Sequence, residues 1–332
     1  MSLYSPEEWS SRKLAGQRLM IGFEGPVCDE RIRSLIARIL PAGVVLFSTN
    51  VRNPEQVIRL NRDLQSAAKE AGLPPLIIAM DQEGGSVARL REPNFKEFPP
   101  ISELKNTEEA REHARCMAVE LKALGITMNL APVLDVADKD TSIMKKRAFS
   151  GDAQAVTNMG LAMIAACRQE GIHAVAKHFP GIGRTVLDSH HVLPVLDAKK
   201  SLLAISDFLP FGAAIKAGVD GVMISHILYE KLDPEWPASL STIISRDLLR
   251  KEMGYEGVVM TDDLDMKAIR LPMEKAMERM VLADIDLGLI CHEGPAIDEA
   301  FNTLVHMAEK EENKAPFIRS AKRVLRVKSS LS

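Results

Sequence analysis

Short apolar segments alternate with longer amphipathic segments along the whole chain. The apolar segments are six to eight residues long and rich in Val, Ile, Leu and Met, without a regular polar alternation. Strands that are buried on both faces of a parallel sheet have this pattern. We therefore predict eight strands, at Gln17–Phe23, Gly43–Ser48, Pro75–Asp81, Ile126–Val133, His173–Phe179, Gly221–His226, Gly257–Asp262 and Asp286–Cys291.

The segments between these strands have the apolar spacing of amphipathic helices. In one of them Asn53 fits the N-cap and Pro54 the first turn, while Val57, Leu60 and Leu64 share one face. Further helices are predicted at roughly 107–124, 153–170, 202–217, 243–253, 272–283, 294–309 and 316–329. Strands that alternate with helices in this way predict an α/β protein, a TIM-type (β/α)₈ barrel that fills residues 1–332 as a single domain. A doubly wound sheet is the alternative.

Composition narrows the class of function. The chain has 42 Lys and Arg against 45 Asp and Glu, a net charge of −3, which argues against nucleic acid as a partner. Two Trp, three Tyr and ten Phe are too few for a platform that stacks a long polymer. The four cysteines are scattered without a CxxC pair, so we expect free thiols, no metal and no cofactor.

Targeting signals are absent from the sequence as it stands. No apolar run approaches the roughly 18 residues of a membrane span, and the N-terminal segment lacks the apolar core of a signal peptide. We therefore expect a cytoplasmic protein with no membrane partner, which exists as a monomer or weak dimer.

Ionisable side chains collect where the predicted strands end. The third strand ends at Asp81, the fifth contains Lys177 and His178, the sixth ends at His226 and the seventh at Asp262. In a (β/α)₈ barrel the functional groups sit at the C-terminal ends of the strands. Ionisable groups are rarely buried without partners, so we predict an active site at these strand ends, with His226 as a lining residue.

Strand geometry limits how many of these groups can face one pocket. Neighbouring residues of a strand point to opposite faces, so only one of Lys177 and His178 should point into the barrel, unless the strand has already ended. By the same rule one of Asp262 and Asp263 should face the pocket. The other should cap the next helix or pair behind the strand.

The loop after the fifth strand contains a carboxylate and an imidazole two residues apart, Asp188 and His190. In an extended loop both side chains can lie on one side, where the carboxylate holds the imidazole tautomer and raises its basicity. The segment Gly181–Leu193 begins with glycines and has no apolar periodicity. We predict that it moves over a bound substrate and withdraws afterwards.

Several motifs in a fixed order resemble the β-N-acetylglucosaminidases of glycoside hydrolase family 3, in particular the single-domain bacterial members. The motifs are AGVVLF at Ala42–Phe47, AMDQEGG at Ala79–Gly85, NLAPVLDV at Asn129–Val136, RAFSGD at Arg147–Asp152, KHFPGIG at Lys177–Gly183 followed by DSH at Asp188–His190, PASLS at Pro237–Ser241 and MTDDLDM at Met260–Met266. The resemblance extends over nearly the whole chain.

The resemblance implies a mechanism and a set of site residues. Asp262 would be the nucleophile that forms a covalent glycosyl-enzyme with net retention, His190 the general acid/base and Asp188 its orienting partner. The sugar contacts would be made by Asp81, Arg89, Arg147, Lys177 and His178. The implied substrate is a small glycoside with a terminal, non-reducing β-linked N-acetylglucosamine, such as a muropeptide fragment in peptidoglycan recycling.

Four alternatives stay open at this point. Two of them lie within the same family. An N-acetylglucosaminide phosphorylase would use phosphate as the acceptor, and a β-glucosidase or β-xylosidase would act on a different sugar. A metal-dependent barrel hydrolase could gather Asp81, His178, His190, His226 and Asp262 around an ion, although no HxH pair ends the first strand. A non-catalytic sugar-binding module is the last alternative, and the complete set of catalytic residues argues against it.

Overall fold

Eight parallel strands close into a barrel in the computed structural model, which describes residues 4–137, 139–186, 193–266, 268–269 and 271–331. Each strand pairs with its neighbours in chain order, and the last strand pairs with the first, so the predicted (β/α)₈ barrel is confirmed. The barrel strands are β1 (Leu19–Ile21), β2 (Gly43–Leu46), β3 (Ile77–Met80), β4 (Met128–Asn129), β5 (His173–Phe179), β6 (Gly221–Ile224), β7 (Val258–Asp263) and β8 (Leu287–Ile290). Outside the barrel, the short strands Val195–Leu196 and Leu228–Tyr229 form a parallel pair.

Helices connect these strands around the outside of the barrel. The longer helices are Ser11–Gly16, Glu30–Ile39, Pro54–Glu70, Thr107–Ala123, Ala153–Glu170, Lys200–Ala204, Phe208–Lys216, Met273–Leu282, Pro295–Ala308 and Glu311–Lys328, with a π-helix at Thr242–Glu252. Single 3₁₀ turns occur at Pro6–Glu8, Ser48–Asn50, Ile101–Glu103 and Ala238–Leu240. Within the described ranges, none of the helices combines the length and apolar character of a membrane span.

Side-chain caps fix several of the helix starts. The predicted cap at Asn53 is confirmed, because its side chain accepts a hydrogen bond from the Gln56 amide. Asp152 caps the helix Ala153–Glu170 in the same way. These caps satisfy amide groups that have no partner within the helix, and so they define where each helix leaves the rim of the barrel.

The main departures from the predicted elements are in the helices. The helices Ser11–Gly16 and Glu30–Ile39 were not predicted, and the last helix begins at Glu311, earlier than expected. The predicted helix at 202–217 is interrupted between Ala204 and Phe208. Asp207 lies in this interruption, fully buried.

Two apolar clusters hold the barrel together. The inner one fills the barrel with side chains from the strands, such as Met20, Val45 and Ile77, while the outer one lies between the strands and the helices. Val324 and Val327 of the last helix belong to the inner cluster. That helix therefore closes the N-terminal end of the barrel, and the polar strand ends lie at the opposite rim.

Candidate active site

A cavity of about 360 Å³ lies at the C-terminal rim of the barrel. Its walls include six of the predicted site residues: Asp81, Arg89, Arg147, Lys177, His178 and Asp262. The segments that follow β3 and β4 and the ends of β5 and β7 supply them, as expected for the C-terminal rim of a barrel.

Charged side chains of alternating sign lie along and behind one wall. The Lys177 ammonium lies 2.7 Å from Oδ1 of Asp81 and 2.6 Å from Oε1 of Glu83. Arg89 donates to the other oxygen of Asp81 at 3.2 Å, and Arg147 donates to both oxygens of Glu83 at 2.8 and 3.0 Å. We call these five residues the charge chain.

The charge chain keeps its members ionised. Burial alone would raise the pKa of Asp81, but the charges of Lys177 and Arg89 outweigh it and lower this pKa to about 2. The pKa of Glu83 is lowered in the same way by Lys177 and Arg147, against the effect of burial. Burial would lower the pKa of Lys177, yet the two carboxylates raise it above its usual value. At neutral pH the wall therefore presents fixed donors and acceptors to a polar ligand.

Glu83 was not selected from the sequence, although it stands in the same motif as Asp81. The two residues are separated by one position at the end of β3 and reach the same ammonium group. The sequence did carry a signal for Glu83, because side chains two positions apart in an extended segment lie on the same side.

His178 is oriented by Asp135, a second carboxylate that was not selected. Its ring Nδ1 lies 2.8 Å from Oδ2 of Asp135, which is fully buried. The other Asp135 oxygen accepts a hydrogen bond from the Ile182 amide at 2.8 Å. With Nδ1 engaged by the carboxylate, Nε2 is the ring nitrogen that can meet a ligand.

The expectation that only one of Lys177 and His178 faces the pocket is wrong, because both line the cavity. The pairing of β5 with β6 shifts register between Ala176 and Phe179, where these two residues lie. The strict alternation of a regular strand therefore does not hold at this position.

Asp262 and Asp263 end β7 and both line the cavity, so the expectation that only one of them faces the pocket is wrong as well. Asp262 accepts a hydrogen bond from the Asp263 amide at 2.9 Å through Oδ1. Asp263 uses its own Oδ1 to accept the backbone amides of Asp265 and Cys291, each at 3.1 Å. Burial raises the pKa of Asp263 to about 6. The charges of Asp265 and Asp262 also raise this pKa, whereas the hydrogen bonds from the two backbone amides lower it.

His226 is not among the described residues that line the cavity, which corrects the predicted lining role. The ring is fully buried, with Nδ1 2.6 Å from the Ser239 hydroxyl and Nε2 2.8 Å from the backbone oxygen of Asp263. Burial lowers the pKa of His226, so the ring is neutral and supports the end of β7 from behind.

The start of the predicted mobile loop is tightly held. A Cβ on Gly183 would lie 2.1 Å from the backbone oxygen of Val136, so only glycine fits this close approach. The next residue, Arg184, donates to the buried Asp207 at 2.9 Å and so ties the loop to the segment between two helices. The predicted acid/base pair, Asp188 and His190, lies outside the described residues.

One group in the described ranges has the geometry to hold a metal ion. Asp263, Asp265 and His292 offer ligand atoms within 4.8 Å of one another at the rim of the cavity. These are not the residues that the metal-dependent hydrolase alternative would use. Among the residues of that alternative, Asp81 is already bound by two cations, and His226 is held by Ser239 and a backbone oxygen.

The barrel and the polar cavity at its C-terminal rim define an enzyme that binds a small polar ligand. The family model "Glycosyl hydrolase family 3 N terminal domain" matches residues 13–327. The chain therefore belongs to glycoside hydrolase family 3 and is a hydrolase of glycosidic bonds.

Relatives of known sequence share most of their length with this chain. A β-hexosaminidase from Stenotrophomonas maltophilia (strain R551-3) is 36% identical over 300 residues, which cover 86% of each chain. A β-hexosaminidase from Nitrosomonas eutropha is 32% identical over 297 residues, or 86% of this chain and 84% of the relative.

Solved structures agree with the sequence comparison. The family 3 β-N-acetylglucosaminidase from Paenibacillus sp. FPU-7 superposes with a TM-score of 0.92 at 34% identity, over 97% of this chain and 63% of that longer chain. The β-N-acetylhexosaminidase from Beutenbergia cavernae superposes with a TM-score of 0.90 at 28% identity, over 97% of this chain and 99% of that chain. NagZ from Neisseria gonorrhoeae, in complex with N-trifluoroacetyl-D-glucosamine, superposes with a TM-score of 0.78 at 25% identity, over 92% of this chain and 98% of that chain.

Proposed function

We propose that this protein is a retaining exo-β-N-acetylhexosaminidase that removes terminal, non-reducing β-linked N-acetylglucosamine from short glycosides. The observation that carries the proposal is that Asp262 lines the same cavity as His178 and four members of the charge chain. Related proteins named β-hexosaminidase, and a similar structure that holds an N-acylated glucosamine, support this choice of sugar.

Asp262 is the proposed nucleophile. It attacks the anomeric carbon as the glycosidic bond breaks and forms a covalent glycosyl-enzyme, which water then hydrolyses with net retention. His190 donates a proton to the leaving oxygen and later removes one from the water, and Asp188 orients its ring. A histidine suits both steps because its usual pKa, near 6.5, lies close to neutral pH.

The cavity wall matches a neutral sugar with several hydroxyl groups. Asp81 offers carboxylate oxygens to sugar hydroxyls, while Arg147 and Lys177 offer N–H groups to hydroxyl or carbonyl oxygens. A volume of about 360 Å³ is near the lower end of ligand pockets, which supports binding of one terminal sugar rather than a long chain.

The cations that line the cavity are paired with carboxylates, and this pairing favours hydrolysis over phosphorolysis. Arg89, Lys177 and Arg147 line the cavity, and each is already held by a carboxylate of the charge chain. A phosphate acceptor would have to compete with these carboxylates for the same donors. An assay for sugar 1-phosphate, with and without phosphate, separates the two reactions.

The nucleophile is tested with Asp262→Ala and with Asp247→Ala as a control on the helix Thr242–Glu252. We expect Asp262→Ala to abolish turnover of chromogenic N-acetylglucosaminides and Asp247→Ala to retain it. A 2-fluoro sugar reagent should label Asp262 in the unmodified protein. Full activity of Asp262→Ala would remove the assignment.

The acid/base role is tested with His190→Ala and a series of leaving groups. Good leaving groups need little proton donation, so their first step should be spared while poor leaving groups lose activity. An equal loss for all leaving groups would contradict the role.

A panel of chromogenic glycosides defines the sugar. N-acetylglucosaminides should be hydrolysed in preference to glucosides and xylosides, and muropeptide fragments should be substrates. The cytoplasmic location, the single-domain organisation and the monomer or weak dimer belong to the same proposal.

A further inference from the structure

We propose that Glu83 is a positioning residue that holds two sugar-binding cations and sets the charge of the cavity, so that the cavity takes a neutral N-acetylglucosamine residue and excludes small anions such as phosphate. This inference rests on the proposed function and deepens it. Glu83 is almost fully buried and is not among the described residues of the cavity wall, so it acts through Lys177 and Arg147.

One carboxylate supports both cations. Oε1 of Glu83 lies 2.6 Å from the Lys177 ammonium and 2.8 Å from Nη2 of Arg147, and Oε2 lies 3.0 Å from Nε of Arg147. The two-point contact with the guanidinium fixes its plane as well as its distance. Lys177 and Arg147 thus present their remaining N–H groups to the cavity in one defined arrangement.

The backbone around Glu83 is itself fixed. The Glu83 amide donates to the backbone oxygen of Val87 at 2.9 Å. Gly84 follows with a positive φ of 97°, and a Cβ there would lie 2.3 Å from the backbone oxygen of Pro99. Because the chain cannot easily shift at this point, the position of the Glu83 carboxylate determines where the two cations stand.

Glu83 also balances the charge of the site. The charge chain contains three cations and two carboxylates, while Asp262 and Asp263 lie elsewhere on the cavity wall. Without the charge of Glu83, Arg147 would have no carboxylate partner among the described residues, and the part of the wall that it forms with Lys177 would gain one net positive charge. Such a cavity attracts anions of the size of phosphate.

Three variants test these two roles. Glu83→Gln keeps the shape and removes the charge, whereas Glu83→Asp keeps the charge and shortens the side chain. Glu112→Gln is the matched control, because Glu112 forms an exposed pair with Arg115 on the outer surface of the protein. Each protein is titrated with inorganic phosphate by calorimetry and assayed with a chromogenic N-acetylglucosaminide.

We expect Glu83→Gln to raise KM roughly tenfold with a smaller change in kcat, since ground-state binding of the sugar is weakened. It should also bind phosphate at least about tenfold more tightly than the unmodified protein, with phosphate as a competitive inhibitor. Glu83→Asp should raise KM without a gain in phosphate affinity, and Glu112→Gln should change neither value.

The proposal is overturned if a folded Glu83→Gln protein has unchanged KM, or if its phosphate affinity equals that of the unmodified protein. If Glu83→Gln does not fold, a Glu83→Asp protein with unchanged KM overturns the positioning role. The phosphate titration needs no turnover. A protein that hydrolyses none of the glycosides would therefore refute the proposed function while the calorimetric result still tests the charge balance.

Discussion

The carboxyl group of Asp263 should destabilise the folded protein once it ionises. Its pKa is raised from a usual 3.8 to about 6. The side chain is mostly buried, and its Oδ1 accepts the backbone amides of Asp265 and Cys291. We predict that Asp263→Asn stabilises the protein near pH 8, since an amide keeps an oxygen for both donors and carries no charge.

The magnitude follows from the difference between the two pKa values. The folded protein binds the proton more tightly than the unfolded chain, so the contribution of Asp263 is fully present below pH 4 and is lost as the pH rises through 6. A pKa difference of this size corresponds to roughly 3 kcal/mol. The advantage of Asp263→Asn should therefore grow from near zero at pH 4 to at most about 3 kcal/mol at pH 8.

Urea unfolding at several pH values between 4.5 and 8 measures this advantage directly. Asp247→Asn serves as the control, because Arg246 and Lys251 lower the pKa of Asp247 to about 2, below the range of the experiment. A stability difference between Asp263→Asn and the unmodified protein that does not change with pH would refute the reasoning. A variant that is less stable at pH 8 would refute it as well.

Two further substitutions address groups that lie behind the cavity and at the opposite end of the barrel. Asp135→Asn should lower kcat/KM for a chromogenic glycoside about tenfold, because His178 loses a charge-assisted hydrogen bond of about 1.5 kcal/mol; unchanged kcat/KM would contradict its orienting role. Lys328→Met should shift Tm more favourably at pH 6 than at pH 10, because burial lowers the pKa of this ammonium group and the folded state resists its protonation. The loss of the donor to the buried Gln17 oxygen costs about 1–3 kcal/mol at either pH. Thermal unfolding at both pH values checks this, and an equal Tm shift at the two pH values would count against it.

The barrel could be predicted because its strands are buried on both faces. Such strands leave continuous apolar runs, and the runs matched the eight barrel strands in number and order, but not the two short strands outside the barrel. The missed helix Glu30–Ile39 also had a signal, with Asp29 as N-cap and Ile32, Leu35 and Ile36 on one face. The interruption of the helix predicted at 202–217 had a signal too, because Pro210 is tolerated only in the first turn of a helix and therefore favours a new helix start at Phe208.

The site could be predicted only in part. The rule that barrel enzymes place functional groups at strand ends selected Asp81 and Lys177, which do meet in the cavity. It did not select Asp135, whose partner lies 43 positions further along the chain and is brought close only by the fold. The same rule wrongly placed His226 on the cavity wall. Its ring is held behind β7 by the Ser239 hydroxyl and the backbone oxygen of Asp263, and both are brought close only by the fold.

Buried carboxylates behind the cavity are the common element of this site. Glu83 fixes Lys177 and Arg147, and Asp135 fixes His178. Burying a charge costs stability unless it is paired and hydrogen-bonded, and both carboxylates meet that condition by binding a group that faces the ligand. The donors are thereby oriented before the ligand arrives, so little reorganisation is needed when charge develops at the reacting sugar. Substitutions of these carboxylates should consequently affect binding and catalysis beyond any loss of stability, which global unfolding measurements on the same variants can separate.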